Sequence, residues 1–246
     1  MSSFFIRIIF QNSHKMKRIQ IIYKNLLIRK GGIKLEPFIN YFTNHGDSYL
    51  LAVREHLAIA LVSILLASII GILSGILCTR FRRIKSFITG IFSTLRVIPS
   101  LAVLMLMIPI IGVGVKSAIV ALIFLAIPPI LINTMLAFDS LPQSVLEAAL
   151  GMGMSRKRIF FVVKLPLALP LMMTGIRTAT AEVIASATLA TYIGAGGLGN
   201  IIFTGLGLMR SELLLIGGVS VAMLSLIAGL LLSCLDSYLF HYRKLN

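Results

Sequence analysis

Residues His56 to Cys78 form an unbroken run of 23 positions without Lys, Arg, Asp or Glu. A helix needs about 20 apolar residues to cross the hydrocarbon of a bilayer. Inside hydrocarbon every backbone N–H and C=O must find its partner within the protein, so a run like this folds as a helix. Comparable stretches follow at about Phe87–Ile111, Ser117–Phe138, Leu169–Ile193 and Leu213–Leu235. The expected fold is an all-α membrane protein with about five transmembrane helices. Composition agrees: 13% of the 246 residues are charged, against roughly 25% in soluble domains. The mean hydropathy is +0.99, and the length suits one domain.

The net charge of +15 would suit a nucleic-acid partner. Many of the basic residues, however, sit beside the apolar runs, where they set membrane orientation, and no basic patch is interleaved with aromatics. The expected partner is membrane lipid and not nucleic acid. Residues 1–34 hold eight Lys or Arg and no acid. Their apolar stretch, Phe4 to Phe10, is too short to span, and no small-residue cleavage site follows it, so it does not read as a secretory signal. Residues 35–55 are mixed (Phe38, Tyr41, Phe42, Tyr49, Leu50, Leu51), as in an interfacial helix. The chain therefore divides into a basic arm with an interfacial segment (1–50), a transmembrane domain (51–240) and a short basic tail (241–246). Cys78 and Cys234 end apolar runs and read as packing residues, not a disulfide. His14, His45, His56 and His241 are scattered, and neither a metal site nor a cofactor is expected.

One stretch, Glu147 to Pro166, is densely charged in an otherwise apolar second half. Pro142 fits the first turn of a helix that carries Glu147, Ala148 and Ala149. Gly153 suits a turn after it. Ser155 is placed to cap a second helix bearing Arg156, Lys157 and Arg158. Leu165-Pro166 is expected to end that helix, because proline removes a donor and its ring clashes with the preceding turn. The whole is a compact knob between spans.

The order Glu-Ala-Ala, three residues, Gly, nine residues, Ile-x-Leu-Pro resembles that of the permease subunits of bacterial ABC importers. Glu147, Ala148, Ala149, Gly153, Leu165 and Pro166 match it, and Val163 stands where isoleucine is usual. The resemblance implies a type I ABC importer permease fold, multi-pass in the bacterial cell membrane. It makes the knob a cytoplasmic coupling helix that docks into an ABC ATPase. With the knob inside, five spans put the C-terminus inside and the N-terminus outside. The inside segments then hold ten basic residues and the outside segments near the spans three (Arg54, Lys116, Arg210), as the positive-inside tendency expects. The basic arm opposes it. A start downstream, for example at Met16, an extra membrane-entering element, or translocation of the arm would each reconcile the two.

Arg96 lies roughly 13 Å into its span and Glu182 roughly 20 Å into the fourth, at 1.5 Å per residue. Ionisable groups at such depth face the bundle interior or water. Arg96 is therefore expected either to approach Glu182, lining or gating a path, or to snorkel to the surface. Arg177 competes for Glu182 or snorkels. Pro99 and Pro128-Pro129 interrupt helical hydrogen bonding at depth, and broken helices often mark a pathway, although a simple kink reads equally well.

Gly194 to Gly199 spells G-x-G-x-x-G, but a span precedes it and the next acid, Glu212, comes too early for a dinucleotide site. The glycines are expected to allow tight turns and close helix approach. With Thr94 to Ala102, Gly175 to Ala179 and Ala187 to Ala190, this segment is similar to the osmoprotectant branch of the permeases, which serves importers of glycine betaine, carnitine or choline. The sequence has no G-x-x-x-x-G-K-[ST], so ATP hydrolysis is assigned to a partner and the chain is not itself an enzyme. The resemblance implies an ABC ATPase dimer, an extracytoplasmic substrate-binding protein and a second permease subunit, identical or homologous. The chain has no Trp and dispersed Tyr and Phe, so an aromatic cage for a quaternary ammonium group is expected on the binding protein. A methionine or other amino-acid importer, or a non-transport structural subunit, are the alternative readings.

Overall fold

The computed structural model describes residues 35–239. The basic arm and the C-terminal tail lie outside the described residues. Two units divide the chain, Met1–Asn44 and His45–Asn246. Helix α1 (Leu35–Thr79) crosses that boundary, and His45 there has the non-helical angles φ −130° and ψ 20°. In the first unit Thr43 Oγ1 donates to Ile39 O (3.0 Å), and the rings of Tyr41 and Phe42 meet edge to face.

The second unit is a helical bundle. After α1 come α2 (Arg82–Leu95), α3 (Ser100–Ile111) and α4 (Val115–Asp139). Then follow α5 (Gln143–Gly151), the single turn α6 (Arg156–Arg158), α7 (Leu165–Leu189), α8 (Gly199–Gly207) and α9 (Ser211–Leu239). Four helical stretches are long and apolar enough to cross a membrane, and α2 with α3 make a fifth if counted together. The core sits around α4. Half of its apolar window is buried within the chain, against 22–28% for the other three. The remaining faces carry exposed Leu, Ile and Phe, as lipid-facing surfaces do.

Small residues decide how closely α4 is approached, as in membrane interfaces generally. Gly71 and Gly75 of α1, four apart on one face, lie against Ile130 and Thr134; a Cβ on Gly75 would come within 2.7 Å of Thr134 Cβ. Gly175 of α7 lies on the backbone of α4 at Pro129 and Ile130. Buried Cys78 packs with Leu131 and Met135, and Cys234 is exposed; both are free thiols.

Three proline-bearing segments can be compared with expectation, and the interruption expected at Pro99 is present. The second span, about Phe87–Ile111, is not a straight helix: α2 and α3 meet at 96° across Arg96–Pro99. Pro99 is the residue before α3, with φ −58° and ψ 134°. A proline drives its predecessor out of helical conformation, and here the chain turns. Pro128-Pro129, by contrast, sit inside an unbroken α4. Both are fully buried, and side chains one turn on serve the local carbonyls: Asn133 Nδ2 donates to Pro129 O (2.8 Å) and Thr134 Oγ1 to Ile130 O (2.8 Å).

The third segment, Leu165-Pro166, departs from expectation and does not end a helix. Helical backbone continues from Arg156 to Ile193. Residues Ile159–Lys164 form a π-helical segment, in which Leu165 N–H donates to Phe160 O five residues back. The wider turn shifts the hydrogen-bond register just before the missing proline donor. Such π segments recur at functional sites.

Candidate functional site: a helical knob and a charge-lined cavity

The knob is built from α5 to the π segment. Pro142 is the residue before α5, not inside its first turn. Helix α5 closes at Gly153, whose φ of +74° is the left-handed conformation that glycine adopts without cost. Gly153 N–H reaches Leu150 O (2.9 Å), and Met154 N–H reaches Ala149 O (3.2 Å), satisfying carbonyls that a helix end leaves free. Ser155 caps the next turn, accepting from Arg158 N–H at 3.4 Å. Ala149 and Ile159 are buried beneath the knob, and Phe160 stacks on Phe138 at the end of α4, centroids 5.8 Å apart. Outward stand Glu147, Ala148, Leu150, Met152, Arg156, Lys157 and Arg158. Charged side chains thus rim exposed apolar ones, Leu150 and Met152. Leu165 and Pro166 are only half-exposed, at the root of α7.

At the bend between α2 and α3 the structure brings Arg96 and Glu182 together: Arg96 Nη2 lies 2.7 Å from Glu182 Oε1. Both remain partly open, with side-chain exposures of 41% and 37%. They line a cavity of about 580 Å³ with Pro99, Ser100, Pro128 and Ser186, within the range of small-molecule sites. The rest of its wall is largely apolar, including Leu106, Met107 and Phe124.

Arg177 does not compete for Glu182. Its Nη2 lies 3.4 Å from Asp236 Oδ2, joining α7 to α9. The sequence reading missed Asp236 because it falls one residue past the boundary drawn at Leu235. A second pair, Lys85 with Asp139, joins α2 to the end of α4.

Two consecutive residues of α1 reach across here, Glu55 to the glycine segment and His56 to α7. Glu55 Oε2 accepts from Gly197 N–H at 2.9 Å. His56 is fully buried, and its Nε2–H donates to Ile184 O at 3.1 Å. Gly196 and Gly197 have φ of +82° and +84°, and a Cβ on Gly197 would press on His56 at 3.2–3.4 Å. Tight turns and close approach are thus what this segment's glycines provide. A hydrogen bond to a charged group contributes about 1.5–3 kcal/mol. Glu55→Ala is therefore expected to lower the thermal midpoint of the detergent-solubilised protein and to speed amide exchange at residues 196–199, with Glu55→Gln losing less. Unchanged exchange in both variants would remove Glu55 as the anchor. Among the described residues no group of three His, Cys, Asp or Glu side chains is arranged to hold a metal ion.

A multi-pass helical bundle with a charged knob at one end and a charge-lined cavity at a broken span is the build of a membrane permease. The family model described as "Binding-protein-dependent transport system inner membrane component" matches residues 67–241, and the chain belongs to that family. It is 38% identical over 202 residues to a carnitine transport permease protein of Listeria monocytogenes, covering 82% of this chain and 93% of the relative. To a choline transport system permease protein of Bacillus subtilis it is 37% identical over 193 residues, covering 78% and 89%. A solved structure of the MetNI methionine ABC transporter in inward-facing conformations matches with a TM-score of 0.70 at 24% identity, covering 78% of this chain and 95% of that one. That likeness is one of fold, and it bears out the type I importer permease fold implied by the Glu147 to Pro166 pattern.

Proposed function

We propose that this chain is the permease subunit of an ATP-driven importer of quaternary ammonium osmoprotectants such as glycine betaine, carnitine or choline. The observation that carries this reading is near full-length similarity to permeases named for carnitine and choline. The chain works with a cytoplasmic ABC ATPase dimer, an extracytoplasmic substrate-binding protein and a second permease subunit. Residues 51–240 form the transmembrane domain. Glu147, Ala148, Ala149, Gly153, Leu165 and Pro166 form the coupling element, and Arg96, Pro99 and Glu182 belong to the pathway or its gate.

Continuous helix from the knob into α7 supports a lever mechanism. ATP binding closes the ATPases and displaces α5 and α6. The π segment passes that displacement directly into α7, where Glu182 lies about 26 Å from the helix start at 1.5 Å per residue. A proline stop at Pro166 would have decoupled the two.

Uptake of labelled glycine betaine, carnitine, choline and methionine is measured in cells carrying the whole transporter, with and without this chain. Loss of uptake of a quaternary ammonium compound on deleting the chain is the expected result. Loss of methionine uptake alone would overturn the substrate assignment and leave the permease reading standing.

A further inference from the structure

The cavity at the α2–α3 bend holds one cation and one anion, both partly open, and a mostly apolar wall. Arg96 and Glu182 are paired across it at 2.7 Å. Ionisable groups within membrane-spanning segments pair with one another or face a water-filled cavity, and a charge left with neither is costly. A mobile zwitterion offers both charges a replacement. Its carboxylate suits the planar guanidinium, which binds carboxylates by two parallel hydrogen bonds. Its quaternary ammonium carries no N–H, so it needs only a negative charge and apolar contact.

The wall supplies more of that environment. Pro128 and Pro129 have no N–H to give the carbonyls four residues back, those of Phe124 and Leu125, and both residues line the cavity. Carbonyl oxygens without that helical donor keep more of their negative potential on this stretch of α4. Methyl groups around an ammonium centre fit the surrounding Leu106 and Met107.

We infer that this cavity is a transient cargo site for a zwitterionic quaternary ammonium compound, which opens the Arg96–Glu182 pair by taking its carboxylate to Arg96 and its ammonium to Glu182. This rests on the substrate class of the proposed function. The site accepts a zwitterion without leaving a charge unpartnered, so the compound can pass through without being held tightly. A monocation such as choline engages Glu182 alone and leaves Arg96 unpaired.

The test uses the assembled permease and ATPase complex reconstituted in sealed lipid vesicles without its binding protein. Saturation-transfer NMR is recorded on the N-methyl protons of glycine betaine and of choline at millimolar concentration. The unmodified complex is expected to transfer saturation to both. Arg96→Gln is expected to lower the glycine betaine signal at least fivefold and to spare choline, which also reports that the variant is folded. Glu182→Gln is expected to lower both signals, and Glu182→Asp to retain them. Equal loss of both ligands in Arg96→Gln would make the pair a structural brace and overturn the cargo site. So would the absence of transfer in an unmodified complex that still imports glycine betaine once its binding protein is added. Import of methionine and of no quaternary ammonium compound by that same preparation would instead overturn the proposed substrate class.

Discussion

Gly175→Leu is expected to abolish accumulation of the folded protein in the membrane. Gly175 lets α7 lie directly on α4, and a Cβ there would stand 2.7 Å from Asn133 Cβ, 2.9 Å from Pro129 O and 3.2 Å from Ile130 Cα. Two of those three neighbours are backbone, in a helix whose prolines are themselves fully buried, so they cannot move aside as a side chain would. Asn133 is also committed, since its amide donates to Pro129 O. Overpacking a well-filled interior costs about 1–3 kcal/mol, and leucine adds three more carbons beyond the Cβ. Gly175→Ala meets only the Cβ contacts. At about 2–4 °C per kcal/mol in chains of this size, that cost is expected to lower the thermal midpoint in detergent by roughly 2–12 °C. Gly218→Ala, with nothing within 4 Å of the added carbon, is the matching control and is expected to be neutral. Equal midpoints for the 175 and 218 alanine variants would show that α4 and α7 are not seated on Gly175.

How much of this was legible in the sequence follows from what each signal measures. Hydropathy adds up along the chain, so it located the apolar stretches well but carried no direction. It could not separate a straight second span from one bent by 96° at Pro99. Proline residues were equally ambiguous. Pro99 breaks its helix, Pro128-Pro129 do not, and Pro166 is absorbed by a π segment; the difference lies in how each is packed, which no local pattern encodes. The approach of Arg96 to Glu182 was legible as one of two options, because few ionisable groups lie at that depth. Arg177 with Asp236 was not, because its partner sat outside the drawn span. Glu55 was invisible as an anchor of the glycine segment and His56 as a tie to α7, since their partners are backbone groups at Gly197 and Ile184, more than 120 positions away. The Gly71–Gly75 spacing was present in the sequence as a small-residue pair and went unread.

Gly153→Val is expected to reduce ATP-driven uptake at least tenfold while the protein still inserts and accumulates. The knob holds its two halves at a fixed angle through one left-handed residue, Gly153 at φ +74°. A left-handed conformation costs an ordinary L-residue about 1–2 kcal/mol, and a β-branched residue tolerates it worst. Each 1.4 kcal/mol of lost docking is about a factor of ten in affinity. The loop would instead re-form with other angles, so that Leu150 and Met152 no longer present beside Arg156, Lys157 and Arg158. Space is not the difficulty, since no atom lies within 4 Å of an added Cβ at Gly153. That separates conformation from bulk, and Gly153→Asn makes the separation measurable, because asparagine accepts left-handed angles. The asparagine variant is expected to keep most of the uptake. Stimulation of the partner ATPase by loaded binding protein should follow the same order, with the unmodified chain and Gly153→Asn high and Gly153→Val low. Loss in both variants would mean that the surface at Gly153 touches the ATPase and that the turn itself is not what matters. Loss in neither would place coupling elsewhere than Glu147 to Pro166.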